Sequence, residues 1–232
     1  MQHTLVYNWK TYVPSEDHAQ KLVGALEPSA TTIIICPSAV HIPSVRESIQ
    51  QKGMHLGAQD ISVSRETPQT GALSGEQIHN AGARFVIIGH AETRANGVEN
   101  TAVVRKVEHA IHYNLTPIIC LSEQKKNEEH PGDEVVAQLE EIIESGVPLK
   151  NVMLAYEPTA YIGAEKPLDT PTIQNIVGRL RDTIPHTTPI MYGGSVTKEN
   201  AETIIRDGGV DGFLLGRASV NAEQANSIAT YI

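Results

Sequence analysis

Phe85-Val86-Ile87-Ile88 is apolar at every position, and Thr116-Pro117-Ile118-Ile119-Cys120 shows no polar alternation either. A strand with one wet face alternates apolar and polar residues. A run without alternation is covered on both faces, as parallel strands flanked by helices are. Outward from these two, short runs rich in Val and Ile begin near Thr4, Thr32, His55, Phe85, Thr116, Val152, Ile190 and Gly212, so eight strands are expected. The intervening stretches carry helical signals. Ser15 precedes Ala19, Leu22, Val23 and Leu26, and Thr170-Pro171 precedes Ile173, Ile176, Val177 and Leu180, apolar residues at the spacing of one buried helix face. Val103, Val104, Val107 and Ile111 form a further face, as do Val135, Val136, Leu139, Ile142 and Ile143, while Ser74-Gly75-Glu76-Gln77 has the spacing of a capping box. The fold class is α/β with a parallel sheet. Eight such units either close into a barrel or stay an open doubly wound sheet, and periodicity does not choose between them.

The 232 residues carry 18 Lys or Arg against 27 Asp or Glu, a formal net charge of −9. Affinity for nucleic acid comes mainly from clustered cations, so no nucleic-acid partner is expected. With 40% hydrophobic and 19% charged residues, the chain has material for a packed core and too little charge for disorder. No linker or low-complexity tract divides it, and residues 1–232 read as one domain; the acidic stretch Glu123 to Glu134 reads as a solvated loop or helix start. The start Met1-Gln2-His3-Thr4 has no basic region, and no apolar run is long enough to span a bilayer. A cytoplasmic protein with no membrane partner is expected. Cys36 and Cys120 each end an apolar run without a companion at zinc-ligand spacing, and they read as buried thiols.

In either architecture the chemistry belongs at the carboxyl ends of the strands, where loops converge and helix N-termini present free N–H groups. The first run ends in Asn8-Trp9-Lys10, the fourth in Gly89-His90-Ala91-Glu92, the sixth in Tyr156-Glu157-Pro158, and the last two in Gly193-Gly194-Ser195 and Leu215-Gly216-Arg217. Each has a plain reading: a surface lysine, a packing histidine, a structural salt bridge, a turn. Of the other histidines, His18, His41 and His109 read as solvated. Read together, the pieces imply more. A helix start after His90 disfavours the imidazolium and leaves a ring that donates a hydrogen bond. Desolvation at the top of an apolar strand raises the pKa of Glu157 toward that of a general base. Paired glycines and Ser195 let backbone N–H groups approach an anion, and Thr159 to Lys166 supplies a lid with Gly163 in it. The substrate class is then a small phosphorylated carbonyl compound, with Glu157 removing a carbon-bound proton while His90 and Lys10 stabilise the oxyanion.

These segments, with Gly71-Ala72-Leu73-Ser74-Gly75-Glu76, Ile162-Gly163, Tyr192-Gly193-Gly194-Ser195-Val196 and Asp211-Gly212-Phe213-Leu214, resemble the triosephosphate isomerase family in order and in approximate spacing over nearly the whole chain. The resemblance implies a closed (β/α)8 barrel that interconverts dihydroxyacetone phosphate and D-glyceraldehyde 3-phosphate through an enediolate, in glycolysis and gluconeogenesis, with no metal or organic cofactor. It implies Glu157 as proton shuttle between carbons and His90 as neutral electrophile. Lys10 would supply fixed charge, Asn8 would position the substrate, and Glu92 would orient Lys10 or relay a proton. Backbone amides around Gly163, Ser195, Gly216 and Arg217 would hold the phosphate, and Ile162 and Leu214 would clamp over the base. Ser74 would sit at the tip of a loop inserted into the other subunit of a homodimer.

The chain departs from the family's usual pattern at several places. Pro158-Thr159-Ala160 replaces Pro-Val-Trp, Glu165 stands at a common lid glycine, Ala91 replaces serine, Thr93 replaces arginine, and Arg217 replaces glycine. Two other readings stay open at this level: another phosphate-binding barrel, such as an aldolase with Lys10 as its only candidate Schiff-base lysine, and a non-enzymatic barrel whose lid no longer closes.

Overall fold

In the computed structural model, which describes residues 2–123 and 129–232, the eight expected strands form and close on one another in chain order, all parallel. They are β1 (Thr4–Asn8), β2 (Thr32–Cys36), β3 (His55–Ala58), β4 (Phe85–Ile88), β5 (Thr116–Glu123), β6 (Met153–Pro158), β7 (Ile190–Tyr192) and β8 (Gly212–Leu215). The sixth begins at Met153 rather than Val152; the other seven begin where the apolar runs do. Outside the barrel lie α1 (Glu16–Ala25), α2 (Ile42–Gln51), α3 (Gly75–Asn80), α4 (Ala91–Ala95), α5 (Asn100–His112), α6 (Asp133–Glu144), α7 (Thr170–Thr183), α8 (Ala201–Gly208) and α9 (Ala222–Thr230). The closed alternative is the one adopted.

Unalternated strands are explained by two cores. Val6, Ile34, Ile87, Ile118, Ala155, Met191 and Leu214 point inward and pack together inside the barrel, joined by the thiols of Cys36 and Cys120. Their strand neighbours Leu5, Ile35, Ile88, Ile119, Leu154, Tyr192 and Phe213 point outward, against the apolar faces of the helices. Burying one such side chain stabilises the fold by about 1.5–3 kcal/mol, so both faces contribute. Closure rests on Gly212: a Cβ there would lie 1.8 Å from the Thr4 carbonyl oxygen, so only glycine lets β8 seat on β1. Beside it the Asp211 carboxylate accepts the Ile190 N–H at 2.8 Å and pairs with Arg181, fixing β8 against the start of β7.

The helix starts are chemically defined. Ser15 accepts the His18 N–H, and Ser74 and Gln77 make both bonds of the capping box. For α7 the cap is Asp169, which accepts the Thr172 N–H, so Thr170 and Pro171 occupy the first turn. Two histidines correct the solvated reading: His41 and His109 are buried. His41 Nε2 meets the Val13 carbonyl at 3.1 Å, while His109 Nδ1 donates to the Ser62 carbonyl at 2.7 Å and its Nε2 accepts the Gly75 N–H at 3.1 Å. Backbone partners replace the water that sequence alone assigned them. His18 is exposed, as expected.

The acidic stretch divides. Residues 124–128 lie outside the described residues, as does Met1. Glu123, read as part of a solvated loop, is instead buried at the end of β5, where it accepts from the Tyr156 hydroxyl and the Gly132 N–H, and Asp133 and Glu134 open α6. Cys36 and Cys120 are buried free thiols. No helix among the described residues is long and apolar enough to cross a membrane.

Candidate functional site

The alternation that fills the barrel also furnishes its mouth. Side chains two apart on a strand share a face, so beyond the core residues Val6, Ala155, Met191 and Leu214 come Asn8, Glu157, Gly193 and Gly216. A cavity of about 180 Å³ opens at this carboxyl end, lined by Lys10, His90, Glu157, Ile162, Gly163, Ser195, Leu214, Gly216 and Arg217 among others. Asn8 and Glu92 line an adjoining cavity that shares Lys10 and His90. Nine of the anticipated residues therefore meet in one place and two flank it.

Ser74, the anticipated dimer-loop residue, joins neither cavity. The exposed crest of its loop is residues 65–72; Ser74 is at the base, its hydroxyl and amide committed to the Gln77 cap.

Glu157 and His90 face each other, with Oε1 3.1 Å from Nε2, and both are almost wholly buried. Burial acts to raise the Glu157 pKa. The charge and hydrogen bond of His90 oppose it, with help from the Cys120 thiol and the Ala91 N–H at 3.2 Å, and together they hold the carboxyl below the usual carboxylate range. This corrects the sequence expectation, which saw the desolvation and not the partners. Burial likewise disfavours a charged His90, yet the charge of Glu157 and its hydrogen bond outweigh that and raise the ring's pKa. His90 Nδ1 accepts the Glu92 N–H at 3.1 Å at the start of α4, so in the neutral ring the proton sits on Nε2, aimed at the cavity. The helix start thus selects the tautomer, and Glu157 governs the charge.

Lys10 has φ +45, a left-handed backbone that costs an L-residue about 1 kcal/mol or more. Its amide donates to Asn8 Oδ1 at 3.1 Å, and its carbonyl accepts from Ser38 at 3.0 Å and Gln59 at 2.9 Å, which hold the strained turn. Its ammonium meets Glu92 Oε1 at 2.6 Å, an orienting ion pair. Of the remaining non-glycine residues described, only Asn114 and Ser195 share this backbone region.

Across the mouth the loop after β7 grips the lid. The Ser195 hydroxyl is 2.8 Å from the Tyr161 carbonyl oxygen and 2.7 Å from that of Ala164, and the Leu168 N–H donates to the Tyr192 hydroxyl at 3.1 Å. Gly193 has a steric reason beyond anion approach: a Cβ there would crowd Glu157 Cγ at 3.1 Å. Gly216 and Arg217 avoid positive φ, so the arginine is compatible with its place in this loop.

Sequence reasoning missed three supports. Gln59, just past the end of β3, was findable by the strand-end rule that found the others. Arg94 bonds the carbonyls of Gly89 and Cys120 and so ties the ends of β4 and β5, and the Tyr192 hydroxyl holds the lid's far end; neither follows a periodic pattern. Among the described residues no three His, Cys, Asp or Glu side chains converge as a metal site.

The family model described as triosephosphate isomerase matches residues 3–232. A triosephosphate isomerase of Nostoc sp. is 30% identical over 234 residues, covering 97% of this chain and 97% of the relative. One from Shewanella frigidimarina is 31% identical over 96% of this chain and 94% of its own length, and one from Roseiflexus sp. is 30% identical over 98% and 96%.

Proposed function

Because the chain belongs to the triosephosphate isomerase family, we propose that it interconverts dihydroxyacetone phosphate and D-glyceraldehyde 3-phosphate, an aldose–ketose isomerisation, with Glu157 as base and His90 and Lys10 as oxyanion partners. The observation that carries the assignment of roles is the 3.1 Å approach of Glu157 to His90 inside a cavity that Lys10 also lines.

A carboxylate held below its usual range is ionised at neutral pH and ready to accept a proton. Substrate entering between the two side chains parts Glu157 from His90. The largest influence that lowers the carboxylate's pKa, that of His90, is then weakened, while burial, which raises it, remains, so the base strengthens when it is needed. Glu157 takes the proton from one carbon and returns it to the next. His90 Nε2–H and the Lys10 ammonium donate to the oxygens as negative charge develops there, and Glu92 keeps the ammonium in place. Asn8 positions substrate through its bond to the Lys10 turn. Backbone N–H groups of Gly163, Ser195, Gly216 and Arg217 hold the phosphate, and Ile162 and Leu214 exclude water from the base.

The reading extends to a cytoplasmic enzyme of glycolysis and gluconeogenesis, folding as one unit over residues 1–232, and to a homodimer through the Ser74 loop. A coupled assay with D-glyceraldehyde 3-phosphate tests the activity. Glu157→Asp withdraws the carboxylate by about one bond and is expected to lower kcat about 10²-fold while changing inhibition by inorganic phosphate far less. Equal, small effects on both would remove Glu157 from the role of base.

A further inference from the structure

Arg217 stands where the family's commoner residue is glycine, and its side chain has a place in the cavity that a backbone contact does not explain. It begins the short turn after β8, is exposed, and lines the cavity. Its Nη2 lies 3.7 Å from the point a Cβ on Gly163 would occupy, so the guanidinium crosses the mouth from the β8 loop to the lid. Among the described residues it has no carboxylate at ion-pair distance. The other cationic side chains of the cavity are committed: the Lys10 ammonium to Glu92, and the His90 ring to Glu157. The uncompensated positive charge of this cavity therefore sits on Arg217, at the Ser195 and Gly163 side.

We propose that the Arg217 side chain is an anchor for the phosphate of the substrate, binding it directly and, through its reach to Gly163, holding the lid over it. The proposal rests on the assignment of a triose phosphate to this cavity and adds a residue that determines how that phosphate is held. A guanidinium presents a planar fork of N–H donors that matches two phosphate oxygens, and such charge-assisted bonds are about twice as strong as neutral ones. Exposed to solvent, the group costs little to keep. When the lid N–H of Gly163 and the guanidinium share one anion, the lid shields the pair from water and strengthens it. The anion then bridges the two sides of the mouth.

The test uses Arg217→Gln, Arg217→Lys and Arg217→Gly in the full chain, with thermal unfolding as a check on folding. For Arg217→Gln, KM for D-glyceraldehyde 3-phosphate and the dissociation constant of inorganic phosphate, read by calorimetry, are both expected to rise about tenfold. The decline of kcat/KM with added salt is expected to become shallower, because one charge pair is gone. Arg217→Lys, which keeps the charge and loses the fork, is expected to recover part of the loss, and Arg217→Gly to behave as Arg217→Gln does. KM and phosphate affinity within about twofold of the unsubstituted protein in Arg217→Gln, a change too small for a charge-assisted bond, would overturn the proposal. So would Arg217→Gly binding phosphate normally while Arg217→Gln does not, since the effect would then be steric. Calorimetry separates the two assignments: a protein that binds phosphate through Arg217 and fails to isomerise overturns the activity alone. An active isomerase indifferent to Arg217→Gln overturns the anchor alone.

Discussion

The two sides of the mouth are built by different means. On one side Asn8 and Glu157 are strand residues and His90 follows β4 by one glycine; their positions come from the barrel's own pleat and they are buried. On the other, Ser195, Gly163, Gly216 and Arg217 are loop residues, partly or fully exposed, joined by a hydroxyl, backbone groups and one long side chain. Proton transfer depends on tenths of an ångström, and a strand end delivers that. Admission and retention of a substrate require a part that opens, and a loop held by a few hydrogen bonds can open without disturbing the core.

If that division is right, damage to the rigid side falls on turnover and damage to the loop side falls on binding. The largest expected effect is from Glu157→Gln, which keeps the shape and removes the base: kcat falls about 10³-fold, with phosphate affinity little changed by calorimetry. His90→Gln is next, at about 10² in kcat, in the same steady-state assay. Ser195→Ala crosses to the loop side. Losing the hydroxyl's bonds to Tyr161 and Ala164 is expected to raise KM and the phosphate dissociation constant about fivefold, with a smaller change in kcat; a larger loss in kcat would erase the distinction. Glu92→Gln weakens a pair whose acidic partner is 59% exposed, and about a threefold fall in kcat/KM is expected.

The smallest effect is in stability. Glu157 has a depressed pKa, so its contribution to folding is present above its unfolded value near 4.5 and lost as pH falls through the folded value. His90 has a raised pKa, so its contribution is present below its unfolded value of 6.5 and lost as pH rises through the folded one. Both are present together between those unfolded values. The difference in thermal midpoint between the unsubstituted protein and His90→Gln is therefore expected to be larger at pH 6 than at pH 8. The reverse order would mean that the folded protein holds His90 neutral at both.

The eight strands were legible because Val and Ile runs mark covered strands wherever they occur, and all but one of the strand starts could be placed to the residue, whereas closure was implied only by the family resemblance, since the same runs fit an open sheet. Most of the site was legible because strand ends are few and the polar residues at them are conspicuous. Less legible was anything set by a partner distant in sequence. The burial of His41 and His109 depends on the carbonyls of Val13 and Ser62, and Arg94 acts on Gly89 and Cys120 through bonds that no spacing announces. Ser74 illustrates the converse: its capping box was plain in the sequence because the two bonds join residues only three apart.

What the residues determined alone is local: which runs extend, which helices begin where, and which side chains crown a strand, because period and capping act over a few neighbours. What the tertiary structure decided is the sign of the interactions among those side chains. Desolvation of Glu157 follows from its strand, but its depressed pKa follows from His90, Cys120 and Ala91 arriving from the turn after β4, from β5 and from α4. Electrostatic energy depends on distance between charges, and only closure of the barrel sets those distances.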